Sequence, residues 1–149
     1  CTFLLGDNMQ EKYLKILIKL AKTAAEKDEV PVSAIIVKND KIISKAFNKR
    51  EKNHNVLDHA EIIAIKQASK KLKDWRLFDC DLYVTLKPCS ICENIIKQSR
   101  IKHVYYLIDK PETKKEYNKT KFNKMNYCTY EQMYDNILKN FFKKKRDKK

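Results

Sequence analysis

The chain has 149 residues, of which 43% are hydrophobic, and its formal net charge is +14 at pH 7. This length and hydrophobic content predict a globular protein and exclude a disordered chain, and no apolar run reaches the roughly 20 residues of a membrane-spanning helix. The positive charge either favours a polyanionic partner or reflects a lysine-rich composition throughout the chain.

The first third of the chain predicts a helix and a β-hairpin. Apolar residues recur at helical spacing over residues 9–28, with lysine and glutamate between them. Residues 32–37 and 42–47 are rich in β-forming residues and predict two strands. Asn39 and Asp40 join them, because both residue types tolerate the positive φ of a tight turn.

The middle of the chain predicts alternating helices and strands. Asp58 is a candidate N-cap and Glu61 stands three residues later, as in a capping box, so a helix is predicted from there to about Leu72. Three further elements follow in order: the strand Cys80–Leu86, a helix that starts at Pro88, and a strand over residues 101–108.

The pattern weakens after Pro111. Residues 114–124 are polar and predict a surface loop or short helix, and residues 125–128 predict a short fifth strand. Helical spacing returns over residues 130–142. A basic cluster follows this helix: Lys143, Lys144, Lys145 and Arg146.

This order of elements predicts the fold class and the domain organisation. A helix, a hairpin and then alternating helices and strands are typical of a layered α/β domain. We place a single domain at residues 9–149 and interpret residues 1–8 as an N-terminal extension, which need not be native to the domain.

The five cysteines favour a metal site over a disulfide framework. Their number is odd, and Cys89 and Cys92 stand at metal-ligand spacing. Free thiols of this kind are typical of a reducing compartment, which favours a cytoplasmic location.

A metal constellation is the most informative feature of the sequence. His59, Cys89 and Cys92 each stand at or near a predicted helix start and offer one nitrogen and two sulfur ligands. Three protein ligands leave a fourth zinc position open for water, and Glu61 is then free to move protons. A structural zinc with a fourth protein ligand and a metal-free redox C-x-x-C are the alternatives. His54, His103 and Cys80 are poorly placed as a fourth ligand.

The residues around this constellation carry a resemblance to a known family. His59-Ala60-Glu61 and Pro88-Cys89-Ser90-Ile91-Cys92 resemble the signature of the zinc-dependent nucleoside deaminases, and in particular of the tRNA-specific adenosine deaminases. Further similarity lies in Val30-Pro31-Val32-Ser33-Ala34, Ala46-Phe47-Asn48, Leu82-Tyr83-Val84-Thr85-Leu86, Ser99-Arg100-Ile101 and Phe141-Phe142-Lys143.

The resemblance implies a fold and an activity. The fold is cytidine-deaminase-like, with three α/β/α layers around a central, roughly five-stranded mixed sheet. The reaction is hydrolytic deamination of adenosine to inosine at the wobble position of a tRNA anticodon stem-loop. Members are typically homodimers that hold one Zn²⁺ per subunit.

The resemblance also implies residue roles. His59, Cys89 and Cys92 bind zinc and Glu61 is catalytic. Substrate binding falls to Asn48, Ala60 and Pro88, and RNA binding to Lys143, Lys144, Lys145 and Arg146. The Gly-rich segment that relatives carry after Asp109 is replaced here by residues 110–115, which bears on the RNA that is recognised.

Three other functions use the same residues. A deaminase of free nucleosides or bases, of the cytidine or guanine type, needs the same metal but gives no reason for the basic C-terminal helix. A single-strand polynucleotide cytidine deaminase fits the residues before Pro88 poorly. A non-catalytic RNA-binding protein with a structural zinc has no need of Glu61.

Overall fold

A computed structural model of the chain describes residues 8–110 and 120–148. The chain divides into two compact units, Cys1–Glu112 and Thr113–Lys149. Residues 1–7 of the predicted extension lie outside the described residues, and a single domain over residues 9–149 stays a prediction. In the part of the chain that the structure describes, no helix has the length and apolar character needed to cross a membrane.

The first unit contains a mixed four-stranded sheet and three helices. The helices are α1 (Asn8–Glu26), α2 (Ala60–Leu72) and α3 (Ser90–Gln98). The strands are β1 (Ser33–Lys38), β2 (Lys41–Phe47), β3 (Cys80–Leu86) and β4 (His103–Ile108). The strand order is β2-β1-β3-β4, with antiparallel pairing of β1 to β2 and β3 and parallel pairing of β3 to β4.

The central strand β1 explains why the unit has three layers. Ala34 and Ile36 belong to a core cluster with residues of α2 and α3, whereas Ile35 and Val37 pack in a second cluster with α1. Successive side chains of a strand point to opposite faces, so a continuous apolar strand is buried on both sides. The predicted three-layer α/β/α architecture is therefore confirmed.

Buried hydroxyl groups attach the helices to the sheet. Ser33 Oγ donates to the carbonyl oxygen of Leu17 in α1 at 2.6 Å, and Ser44 Oγ donates to that of Ala64 in α2 at 2.8 Å. Thr85 Oγ1 accepts the backbone N–H of Ser33 at 3.1 Å. These bonds satisfy polar groups that would otherwise be costly to bury.

The predicted fifth strand is wrong. Residues 125–127 have no regular structure, and Cys128 begins the helix α4 (Cys128–Asp147). The Met-Asn-Tyr-Cys segment has no β-branched residue, and asparagine is disfavoured in strands. The helix is longer than the predicted 130–142 and includes the basic cluster in its last turns, where the negative end of the helix dipole favours cations.

Neighbouring positions in α1 allow a test of the core. Leu17 is 1% exposed and Ile18 is 42% exposed. We expect Leu17→Ala to lower the free energy of unfolding by about 2–5 kcal/mol, because it leaves a cavity between α1 and the sheet. Ile18→Ala, the control, changes it by less than about 1 kcal/mol. Urea denaturation followed by circular dichroism measures both, and equal effects would contradict this packing.

Candidate metal centre

The metal constellation lies at the starts of two helices. His59 is the residue before α2, with φ −69° and ψ 149°, and Cys89 is the residue before α3, with φ −69° and ψ 170°. Both have extended backbone and stand in the N-cap position. Because β3 connects α2 to α3, the fold brings the two helix starts together.

Two predictions of helix starts are wrong in detail. His59, not Asp58, occupies the N-cap position of α2, so Glu61 stands two residues after the cap and not three, as a capping box requires. The Asp58 carboxylate instead accepts a hydrogen bond from Asn53 Nδ2 at 2.8 Å. The third helix begins at Ser90, two residues beyond the predicted start at Pro88, because Cys89 keeps extended backbone.

The three predicted ligands are close enough to share one ion. His59 Nδ1 lies 3.4 Å from Cys92 Sγ and 3.9 Å from Cys89 Sγ, and all three donor atoms lie within 4.8 Å of one another. Nitrogen and sulfur ligands of one tetrahedral zinc ion lie about 3.6 Å apart. The cluster therefore fits a zinc-sized ion. Among the described residues, His54, His103 and Cys80 are not part of it.

The electrostatics of the cluster also suit a cation. Burial raises the pKa of the Cys92 thiol, and the neighbouring Glu61 and Cys89 raise it further. A thiolate at this position therefore needs a positive charge beside it, which a divalent ion supplies. Burial lowers the pKa of His59, with Glu61 acting in the opposite direction. Burial thus favours the neutral imidazole that binds metals.

Glu61 is buried beside the cluster without being one of its three donors. The residue is 3% exposed, and its Oε1 atom has no hydrogen-bond partner within the described residues. Its carboxyl group is close enough to Cys92 to perturb that thiol. An unpartnered buried carboxylate oxygen is costly, so this placement favours a functional role for it.

Asn48 connects the end of β2 to the start of α2. It is 6% exposed, and its Oδ1 atom accepts the backbone N–H of Ala60 at 2.7 Å. Its Nδ2 atom makes no hydrogen bond to the described residues. The structure thus leaves the NH₂ group of Asn48, with its two N–H donors, available to a ligand.

The other predicted substrate residues are placed differently. Ala60 is completely buried in the core, and its N–H is occupied by Asn48. Pro88 is half-buried and precedes the predicted metal ligand Cys89. Their contacts with a substrate stay predictions.

The basic cluster belongs to the second unit of the chain. Lys143, Lys144, Lys145 and Arg146 are all exposed in the last turns of α4. Lys145 Nζ lies 5.6 Å from the centre of the Phe141 ring. RNA binding by these residues stays a prediction. Residues 111–115 of the segment after Asp109 lie outside the described residues.

One buried acidic residue near the site, Glu29, belongs to no recognisable sequence motif. Glu29 is 5% exposed, and its carboxylate accepts two backbone hydrogen bonds from the loop that follows β2. It lies three residues beyond the end of α1, where the negative end of the helix dipole disfavours an acid. That unfavourable position is a signal that sequence reasoning could have used.

The fold and the site together define a class. A layered α/β/α unit with a His-Cys-Cys cluster at two helix starts, and a glutamate that is not a ligand beside it, is the arrangement of the base deaminases. The chain belongs to the MafB19-like deaminase family, whose model matches residues 8–146.

Relatives narrow this class further. The tRNA-specific adenosine deaminase of Rickettsia bellii is 41% identical over 141 residues, which cover 87% of this chain and 97% of that protein. A solved structure from a study of tRNA:A34 deaminases superposes with a TM-score of 0.64 at 36% identity, covering 65% of this chain and 75% of that one. Guanine deaminase from Bacillus subtilis superposes with a TM-score of 0.74 at 26% identity, covering 87% and 93%.

Removal of one sulfur donor tests the metal centre. We expect Cys92→Ser to lose bound metal during gel filtration, because a serine hydroxyl is a much weaker ligand than a thiolate. Cys128→Ser is the matched control, since Cys128 is an exposed free thiol outside the cluster. Elemental analysis of the purified proteins gives the metal content per chain. Equal metal content in the two variants would contradict the assignment.

Proposed function

We propose that this protein is a zinc-dependent hydrolase that converts adenosine to inosine at the wobble position of a tRNA anticodon. The observation that carries the proposal is the His-Cys-Cys cluster with the buried Glu61 beside it, whose Oε1 atom has no hydrogen-bond partner among the described residues. The tRNA substrate is supported by the identity to the Rickettsia bellii enzyme, which extends over 97% of that protein.

His59, Cys89 and Cys92 would hold the zinc ion in this proposal. When bound, zinc supplies Lewis-acid activation of a water molecule. The backbone of His59 is held at the start of α2 by its N–H, which donates to the carbonyl of Leu57 at 2.8 Å.

Glu61 moves the protons of the reaction. Its Oε1 atom, free of other partners among the described residues, accepts a proton from the attacking water and returns it to N1 of adenine. A second proton then passes to the exocyclic amine as the C6–N6 bond breaks. The overall balance is adenosine and water giving inosine and ammonia.

Asn48 orients the substrate through its remaining amide donor. Because its Oδ1 atom is fixed by the N–H of Ala60, its Nδ2 atom points to a set position for a nucleoside acceptor. A single-stranded anticodon loop suits such a site, since its bases can leave the stack at low cost.

The partners of the proposed enzyme are a tRNA and a second copy of the chain. The exposed basic residues of α4 support contact with tRNA phosphates. Exposed apolar side chains around the α2–α3 layer, Trp75 at 58% and Ile91 at 53%, support a homodimer. A cytoplasmic location completes the proposal, because tRNA is modified there.

Guanine deamination is a second candidate. The superposition on the Bacillus subtilis guanine deaminase has the higher TM-score, 0.74 against 0.64, and covers more of this chain. The same cluster and Glu61 could act on the free base, giving xanthine and ammonia. The 41% identity to a tRNA-specific enzyme favours the first candidate.

A substrate panel tests the proposal. The purified protein is incubated with an anticodon stem-loop that carries adenosine at the wobble position, with free adenosine and cytidine, and with guanine. We expect inosine in the stem-loop alone, and about 10²–10⁴-fold slower turnover in Glu61→Gln, which retains its metal. Glu93→Gln, an exposed acid of α3, is the control. Xanthine as the main product would instead establish the second candidate.

The salt dependence of RNA binding tests the basic cluster. The variant replaces four residues of α4 by glutamine: Lys143, Lys144, Lys145 and Arg146. The control replaces four exposed lysines of α1: Lys12, Lys15, Lys19 and Lys22. We expect the slope of log K against log salt to fall by about 0.7 for each phosphate that the variant no longer neutralises. Equal slopes in the variant and the control would show that overall charge, rather than α4, sets RNA binding.

A further inference from the structure

The Glu29 carboxylate binds the loop that connects two residues of the candidate site, Asn48 and His59. The loop runs over residues 49–58, between Asn48 and His59. Glu29 Oε1 accepts the backbone N–H of Glu51 at 3.0 Å, and Oε2 accepts that of Lys52 at 2.9 Å. Hydrogen bonds to a buried carboxylate are charge-assisted and stronger than those between neutral groups.

The loop is otherwise bonded mainly to itself. The N–H of Lys49 donates to the carbonyl of Asp58 at 2.9 Å and closes its base, and the N–H of Asn53 donates back to Lys49 at 3.0 Å. Glu29 is the one side chain from outside the loop, among the described residues, that hydrogen-bonds to residues 50–57. The position of the loop on the rest of the unit therefore depends on this carboxylate.

The loop in turn fixes both of its neighbours in the site. Its base lies directly between Asn48, which binds the N–H of Ala60, and His59, whose backbone N–H donates to the carbonyl of Leu57 at 2.8 Å. A shift of the loop moves the Leu57 carbonyl and with it the backbone of His59, which carries the imidazole. Glu29 is thus linked to the site through the backbone of the loop.

We infer that Glu29 is a positioning residue for the metal centre and for the proposed deamination, acting through the loop over residues 49–58. Its two carboxylate oxygens bind consecutive N–H groups at the start of a tight turn, as an N-cap residue does for a helix. It contacts neither metal nor substrate. The inference on catalysis rests on the proposed function, whereas the inference on the metal centre does not.

The variant Glu29→Gln tests this inference. Its amide retains one acceptor oxygen and presents an NH₂ group to the other backbone N–H, so one of the two bonds is lost. We expect amide exchange at residues 51 and 52 to become about tenfold faster. Metal affinity and kcat on the anticodon stem-loop should each fall about 10–100-fold, as for other residues that orient a metal ligand. The KM for the stem-loop should stay within about threefold, because phosphate contacts dominate RNA affinity.

Glu51→Gln is the matched control. It removes one negative charge in the same loop, and the Glu51 side chain is exposed, with no hydrogen bond or ion pair to the described residues, while its backbone N–H is retained. We expect exchange, metal affinity and kcat close to those of the unmodified protein. An equal loss in both variants would show that charge, not positioning, is responsible.

The outcomes separate this inference from the proposed function. If Glu29→Gln matches the control in exchange and metal affinity, or loses activity only in proportion to its unfolded fraction, the inference is overturned. If the unmodified protein deaminates no tRNA substrate, the proposed function fails, and the exchange and metal readouts still decide the role of Glu29. Should Glu29→Gln unfold, Glu29→Asp retains both oxygens on a shorter chain and must show intermediate losses for the inference to stand.

Discussion

The meeting of two helix N-termini at one place in the first unit is the constraint on which the site depends. His59 and Cys89 occupy the residues that precede α2 and α3, and Cys92 follows within the first turn of α3. The strand β3 between the two helices sets their separation, and the core beneath them is tightly buried. Three donors from two distant sequence positions then lie close together without any unusual local backbone. The chemistry of the site thus follows from the layer architecture.

Much of this arrangement was predictable, because it depends on patterns that are local in sequence. Residues 32–37, rich in β-forming residues, predicted a strand, and the structure has β1 at Ser33–Lys38. The spacing of Cys89 and Cys92 within one helical turn required only that a helix start there. His59 joined them because β3 is the element between α2 and α3, which places both helix starts at the same end of the sheet. The family resemblance, which the matched family model confirms, covered the same residues.

The errors arose where a residue had several possible local partners. Asp58 is a good N-cap by type, but it binds the side chain of Asn53 while His59 takes the cap position. Residues 125–128 contain apolar side chains but too little β-forming character to make a strand. Glu29 was missed because its partners are backbone N–H groups more than twenty residues away, which leave no trace in the residue types of the loop.

The bond between the Asn48 oxygen and the N–H of Ala60 has a consequence for selectivity. An asparagine amide can ordinarily rotate to exchange its oxygen and its NH₂ group, and so adapt to ligands of either polarity. Here that rotation would turn the Asn48 NH₂ group toward the backbone N–H of Ala60. Two donors would then face each other inside the protein. The start of α2 therefore fixes the orientation of the Asn48 amide, and its Nδ2 atom can hydrogen-bond only to a group that offers a lone pair.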